Sequence, residues 1–304
     1  MPKGNKQRNF ANDDLRVYEI KDSRPQLDYP AYNPSFPELP GVLLFIARCK
    51  SGKSLTIANM LNREEMLADV FEKIYIISPT IKIDRNAQLY ERDEVEDLYE
   101  LRDDVENVDE IITSIIEHQE KFDIKDPDNL PPRVMVVFDD ISGYLGANSV
   151  TANFFSRYRH WNCSIICSNQ NIRTLPSVVR TNATAVFLAS CSSTLEREKI
   201  LLEWGEFYQR HEKGEGVNTR SKKQSFQKMA EMWDDATKHK YNFLYLRLDA
   251  EPPRAFQFGA DGMFEYDIAT GQEDHDNLLT EEVETEKPEE GGEEKHYEAM
   301  PETK

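Results

Sequence analysis

One lysine, one serine, two aspartates and one glutamine are spaced in this sequence as phosphate chemistry requires. Residues 47–54 read Ala-Arg-Cys-Lys-Ser-Gly-Lys-Ser, which fits the pattern [AG]xxxxGK[ST]. In a loop of this kind the successive backbone N–H groups, here from Ala47, Arg48, Cys49, Lys50, Ser51, Gly52, Lys53, Ser54 and Leu55, converge on phosphate oxygens. A helix N-terminus behind them adds a dipole that favours negative charge. Gly52 permits close backbone approach. Lys53 is expected to reach the β- and γ-phosphates of ATP, and Ser54 to place its hydroxyl on Mg²⁺. Ala47 stands where the stricter pattern has glycine, and alanine takes positive φ poorly.

About 80 residues further on, the apolar run Val134–Phe138 ends in Asp139 and Asp140. An apolar strand ending in acid, downstream of a phosphate loop, suits a metal-holding carboxylate followed by a water-orienting one. Asp139 is expected to hold Mg²⁺, directly or through water, and Asp140 to orient or deprotonate the attacking water. The competing reading is a solvated strand end that caps a helix. Gln170 closes the next apolar run, where a neutral amide would sense the γ-phosphate or hold the water; otherwise it is a turn residue. Arg157 and Arg159 precede that run, at the opposite end of the strand from Gln170. From there they do not readily reach a nucleotide in their own subunit, but in a ring they would reach the neighbour's, as arginine fingers do. Their ordinary role would be surface pairing with one of many acidic residues, and His160 reads as structural.

The elements that must position these groups follow from the apolar pattern. Leu43–Ile46 reads as a buried strand and Leu55–Leu61 as a helix, with Ile57, Met60 and Leu61 on one face. Further strands are expected at 74–77, 134–138, 163–167, 185–189, 243–246 and 255–258, the last two as a hairpin. Continuous apolar runs such as Val134–Phe138 belong to central parallel strands with both faces covered. Helices are expected at 108–116, 151–159, 195–207 and 225–237, with a turn or short helix at 174–181. The acidic segment Asp93 to Glu106 also reads as an exposed helix. Strands alternating with helices give an α/β class with a mostly parallel central sheet.

Three regions are expected: an extended arm over 1–40, a catalytic domain over 41–260 and a disordered acidic tail over 271–304. The arm carries Pro25, Pro30, Pro34, Pro37 and Pro40, and its tyrosines and Phe36 suit packing on a surface such as that of a neighbouring subunit. The tail holds 13 acidic residues and three lysines, net −10, which leaves −9 of the total −19 on the rest. Such a tail buries too little apolar surface to fold. An acidic body argues against global attraction to nucleic acid, so any DNA contact needs a local basic face. Cys49, Cys163, Cys167 and Cys191 form no zinc spacing and fit a reducing compartment. No signal peptide or bilayer-length apolar run is evident.

The loop of residues 47–54, Val136–Ile141 (VVFDDI), Arg159–Ser164 (RHWNCS), the strand end at Asn169 and Gln170, and Leu175–Thr184 (LPSVVRTNAT) together resemble the DNA-packaging ATPases of large DNA viruses. These are the poxvirus-type branch of the FtsK–HerA superfamily, and the resemblance covers roughly residues 40–258. It implies a RecA-like P-loop NTPase core, with Gln170 and Arg159 at the positions of the family's glutamine and arginine finger and Arg157 as second candidate. Asp140 departs from the glutamate many relatives carry. The implied activity is ATP hydrolysis coupled to moving double-stranded DNA into a capsid, by a homo-oligomeric ring, a hexamer or pentamer. The implied partners are capsid or inner-membrane components, and the implied location is the virus assembly site in the host cytoplasm or the virion. Arg210, Lys213, Arg220, Lys222 and Lys223 are candidate DNA contacts. Rival readings are a helicase or conjugation-type motor on the same core, a P-loop small-molecule kinase, and a non-catalytic nucleotide-binding scaffold. Intact Lys53, Ser54, Asp139 and Asp140 count against the last.

Overall fold

The apolar runs assemble into one ten-stranded sheet. The structure is a computed structural model that describes residues 29–83, 90, 99–123, 126, 128–146, 149–205, 222–267 and 272–273. Most of the arm, Asp93 to Leu98, Arg210, Lys213, Arg220, and all but two residues of the acidic tail lie outside the described residues. The side chains of Lys222 and Lys223 do as well.

The strands are β1 (Val42–Ile46), β2 (Lys73–Ile77), β3 (Tyr99–Arg102), β4 (Val134–Asp139), β5 (Cys163–Asn169), β6 (Ala185–Leu188), β7 (Asn242–Arg247), β8 (Arg254–Gly259), β9 (Gly262–Asp267) and β10 (Gln272–Glu273). Their spatial order is β10-β9-β8-β7-β6-β1-β5-β4-β2-β3. Pairings from β6 through β3 are parallel, and those from β6 to β10 antiparallel. The α/β class with a central parallel sheet therefore holds, extended by an antiparallel wing. The helices are α1 (Lys53–Asn62), α2 (Val108–Gln119), α3 (Val150–Arg157), α4 (Ser177–Thr181), α5 (Thr194–Trp204) and α6 (Lys222–Ala236).

Every residue of β1 and β5 is buried, because successive side chains enter different layers. Val42, Leu44 and Ile46 meet the layer built from α2, α3 and α6, whereas Leu43 and Phe45 meet α1 and the 67–71 segment. Phe45, Phe187 and Tyr245 stack in a row across β1, β6 and β7, with centroids 4.3 and 4.4 Å apart. Each such pair adds about 0.5–1.5 kcal/mol beyond its buried area. The row ties the antiparallel wing to the strand that precedes the phosphate loop.

Three expectations are corrected. Residues 99–102 are not helical: they form β3, an edge strand parallel to β2. The alternation Tyr-Glu-Leu-Arg has the period of a strand, and Arg102 is paired on both sides by Glu100 and Asp104. Next, the sheet runs past residue 260 into β9 and β10, with a turn at Gly259–Gly262 in which both glycines have positive φ. Finally, the later part of the arm packs on its own chain. Phe36 is buried against Tyr245 and Phe258, the Tyr245 hydroxyl donates to the Ser35 carbonyl at 2.8 Å, and the Tyr29 hydroxyl donates to Asn162 at 2.6 Å. The rings face the sheet because that is the nearest apolar surface.

Candidate active site

The loop between β1 and α1 leaves the sheet at its centre. Ala47 stays buried, and its N–H donates to the carbonyl of Asn169 at 2.9 Å, which prolongs the β1–β5 pairing by one residue. Positive φ is taken by Lys50 (62°) and Gly52 (92°), not by Ala47, so alanine in place of glycine carries no strain there. Arg48, Cys49 and Lys50 are exposed, Ser51 is partly buried with its hydroxyl unpartnered, and Leu55 is exposed on α1. At Gly52 an added Cβ would lie 3.0 Å from the Tyr241 ring, so the position is restricted by space as well as by conformation.

Lys53 opens α1 and is only 7% exposed. Its ammonium donates to the carbonyls of Ala47 (2.8 Å) and Arg48 (3.5 Å) and, among the described residues, forms no ion pair with a carboxylate. A buried ammonium hydrogen-bonded only to neutral carbonyls lacks an opposite charge, so an anion beside it is favoured. The N-terminus of α1 likewise has no side-chain cap and no acidic residue in its first turn. By contrast α3 and α5 are capped by Ser149 and Ser193. The first-turn N–H groups of α1 are thus open to a phosphate.

The sheet order separates β1 from β4 by β5, and one hydrogen bond crosses that gap: the Ser54 hydroxyl donates to Asp139 Oδ2 at 3.0 Å. Burial raises the Asp139 carboxyl above the usual range, opposed by the Ser54 hydrogen bond and the nearby Lys53 charge. A desolvated carboxylate beside a serine hydroxyl is a hard oxygen donor pair of the kind a divalent cation uses. Asp140, at φ 61°, turns the chain out of β4, and its N–H donates to the Ser168 carbonyl at 3.0 Å. Gln170 follows β5 directly, and its amide donates to Asp140 Oδ2 at 2.5 Å. The neighbouring Asn169 is buried and fixed by the Asn171 carbonyl and the Thr174 hydroxyl, which holds the end of β5 in place. The structure thereby brings together Lys53, Ser54, Asp139, Asp140 and Gln170.

Arg157 and Arg159 are not part of that cluster. α3 delivers Arg157, and the 3-10 turn Tyr158–Trp161 carries Arg159 into the start of β5. Both arginines are exposed, and among the described residues neither forms an ion pair. Arg159 donates to the Tyr158 hydroxyl at 2.9 Å and lies 5.4 Å from that ring's centroid.

A cleft of about 230 Å³ adjoins the phosphate loop on the β6 and β7 side. Arg48, Lys50, Ser190, Lys238, Lys240 and Tyr241 are among its lining residues. Nothing local in the sequence marks the 237–242 turn as lining a cleft beside the phosphate loop. All four cysteines are free thiols; burial pushes Cys163 far up and Cys167 up to about 12, so neither is a nucleophile. Among the described residues, no helix is long and apolar enough to cross a membrane.

The family model of the poxvirus A32 protein matches residues 35–205, more than half of the chain. No curated protein matches the chain significantly. Among solved structures, the DNA-packaging ATPase B204 from Sulfolobus turreted icosahedral virus is 14% identical, covering 73% of this chain and 98% of its own, with a TM-score of 0.48. The genome-packaging NTPase B204 from Sulfolobus turreted icosahedral virus 2, in complex with ATP-gammaS, is 15% identical over 71% of this chain and 95% of its own, with a TM-score of 0.46. ATPases 2 and 3 of Thermomonospora curvata EccC are 8% identical, covering 72% and 37%, with a TM-score of 0.43.

Proposed function

The chain belongs to the poxvirus A32 protein family, and from that premise we propose that it is an ATP-hydrolysing motor that moves double-stranded DNA into a viral capsid. The observation that carries the ATPase reading is Lys53, a buried ammonium with no carboxylate partner among the described residues, at an uncapped helix N-terminus. A triphosphate supplies the missing anion. Bound Mg²⁺ supplies charge neutralisation at the β- and γ-phosphates. Ser54 and Asp139 are the residues that would hold it, with phosphate and water completing its preferred coordination.

Asp140 then acts on the attacking water, as orienting group or base. The amide of Gln170 engages one of its oxygens, which fixes the carboxylate's direction and leaves the other oxygen for the water. Lys53 stabilises charge on the transferred phosphoryl group. Arg159, or Arg157, serves the next subunit's nucleotide, so the site is complete only in a ring. Exposure, and the absence of an acidic partner among the described residues, support this role for both.

DNA grip is sequence-independent and salt-sensitive on this reading. The net charge of −19 requires it to be local, and Arg210, Lys213, Arg220, Lys222 and Lys223 are the proposed source. The ring is a homohexamer or homopentamer that meets capsid or inner-membrane components where virions assemble, in the host cytoplasm, or is carried in the virion. The test is ATP turnover with and without duplex DNA, with the mass of the assembly measured in parallel. Duplex-stimulated turnover by a ring, without strand separation, is expected. Strand separation would mark a helicase, and turnover by a monomer that ignores DNA would overturn the motor.

A further inference from the structure

The metal-side groups Ser54, Asp139, Asp140 and Gln170 all lie towards β5 and β4, on one side of β1. A nucleoside triphosphate whose terminal phosphate sits among them has to run back along the phosphate loop. Its base then emerges on the other side of β1, over β6 and β7. That is where the cleft of about 230 Å³ opens, between Arg48, Lys50 and Ser51 of the loop and the turn Thr237–Asn242. Resting on the phosphate-site reading above, we propose that this cleft seats the nucleobase and that Tyr241 is its stacking platform.

Tyr241 is built for presentation rather than for packing. It is 44% exposed although large and aromatic. Its backbone has a φ of 73°, a conformation that a bulky side chain seldom adopts. Asp261 pins the turn that enforces it: one carboxylate oxygen contacts His239 Nδ1 at 2.8 Å and accepts from the Asn242 amide at 2.7 Å. The Asn242 side-chain oxygen in turn accepts from the Asp261 N–H at 3.3 Å. From below, the Trp233 indole donates to the Ala189 carbonyl at 3.0 Å, which ties α6 to the cleft floor. The ring therefore stands beside Gly52, where a side chain on the loop would meet it.

The exposed Lys240 ammonium lies 4.5 Å from the ring centroid. A π face that attracts a cation also stacks a base, and a lysine on a flexible stem is readily exchanged for one. Lys50, Lys238 and Lys240 surround the cleft with positive charge, which suits the ribose-phosphate end of the ligand. Stacking accepts every base but favours the larger face, so purine nucleotides bind more tightly than pyrimidine nucleotides.

The test compares binding of ATP, CTP and inorganic tripolyphosphate to the full chain by calorimetry, for the wild type and for Tyr241→Gly, Tyr241→Phe and Tyr241→Trp. Glycine suits the positive φ, so Tyr241→Gly keeps the turn while removing the ring. We expect it to weaken ATP about tenfold or more, the scale of a lost base stack, and to leave tripolyphosphate unchanged. Phe and Trp should retain ATP affinity, and the wild type should prefer ATP to CTP. Equal losses for ATP and tripolyphosphate would mean that the ring only props the loop, and no loss for either would leave the base elsewhere; both overturn the proposal. If the wild type binds ATP and tripolyphosphate equally, the phosphate site stands and the base seat falls. If it binds neither, both fall.

Discussion

Replacing Arg159 by alanine separates a residue acting across a subunit interface from one acting at home. β5 has seven residues, Cys163–Asn169, between Arg159 and Gln170. At about 3.3 Å per residue the strand alone spans roughly 20 Å, far beyond the reach of an arginine side chain. Arg159 therefore does not touch the nucleotide held by its own loop. Its local ties are one hydrogen bond to the Tyr158 hydroxyl and a contact with the edge of that otherwise buried ring, so truncation costs about 1 kcal/mol of stability. Loss of an arginine finger, in contrast, lowers turnover by about 10³-fold or more. Arg159→Ala should thus leave the melting temperature, ATP binding and assembly nearly intact and abolish most hydrolysis. The assay mixes subunits. Arg159→Ala subunits keep a complete ATP site, and Lys53→Ala subunits keep the arginine, so some interfaces in a mixed ring join the two intact halves. Single-turnover hydrolysis should reappear in the mixture although neither variant works alone. Absence of recovery, with mixed rings confirmed by mass, would refute the interface role. Arg157→Ala run in parallel decides which of the two guanidiniums reaches the neighbour.

Lys53→Ala should abolish turnover and weaken ATP binding; normal turnover in the folded variant would remove the phosphate-loop assignment. Asp140→Asn should bind Mg·ATP normally and hydrolyse it slowly, and loss of binding there with binding spared in Asp139→Asn would exchange the two roles. For Asp139, burial raises the carboxyl, so its charge opposes folding at neutral pH and that cost disappears as pH falls through the folded pKa. Asp139→Asn should accordingly melt higher than the nucleotide-free wild type at pH 7, with the gap closing on acidification, while losing turnover; a pH-independent difference would contradict this. Gly52→Ala, at φ 92° and with its Cβ 3.0 Å from Tyr241, should lower both the melting temperature and ATP affinity; an unchanged pair of values would show that the loop relaxes freely.

What sequence alone discloses tracks how strongly burial constrains each segment. β1, β4 and β5 are covered on both faces, so each appears as an unbroken apolar run and is legible directly. β3 lies at the sheet edge with Glu100 and Arg102 half in solvent, and its charges resemble those of an exposed helix. β9 is short and mostly half-exposed, with Met263 and Phe264 adjacent and Glu265 following, so no clean period of two announces it. The arm could not be placed, since Phe36 and Tyr29 find partners more than 120 residues away. The residue types gathered around Asp139 stand out in the sequence, but the strand order that unites them does not. Neither the Ser54–Asp139 bond nor the Gln170–Asp140 bond follows from spacing. Tyr241 was missed altogether, because its place depends on the β1-β6-β7 order and on Asp261.

The strand order also constrains how neighbouring sites in a ring can communicate on the proposed reading. β5 carries Gln170 at one end and Arg157 and Arg159 at the other. It is buried along its whole length and hydrogen-bonded to β1 on one side and β4 on the other. Sliding it by itself would break both ladders and shift seven buried side chains at once. A local change at Gln170 therefore does not travel along β5 as a piston stroke. The same pairing makes β1, β4 and β5 move together, and with them Lys53, Asp139 and Gln170. Coupling between adjacent nucleotides is left to rotation of whole domains, which carries Arg159 towards or away from the neighbour's phosphate while each site keeps its own geometry. Single-turnover measurements test that distinction: an interface with an intact site and an intact arginine should hydrolyse at different rates when its arginine donor is wild type with nucleotide bound and when it is Lys53→Ala, and equal rates would refute coupling by rotation.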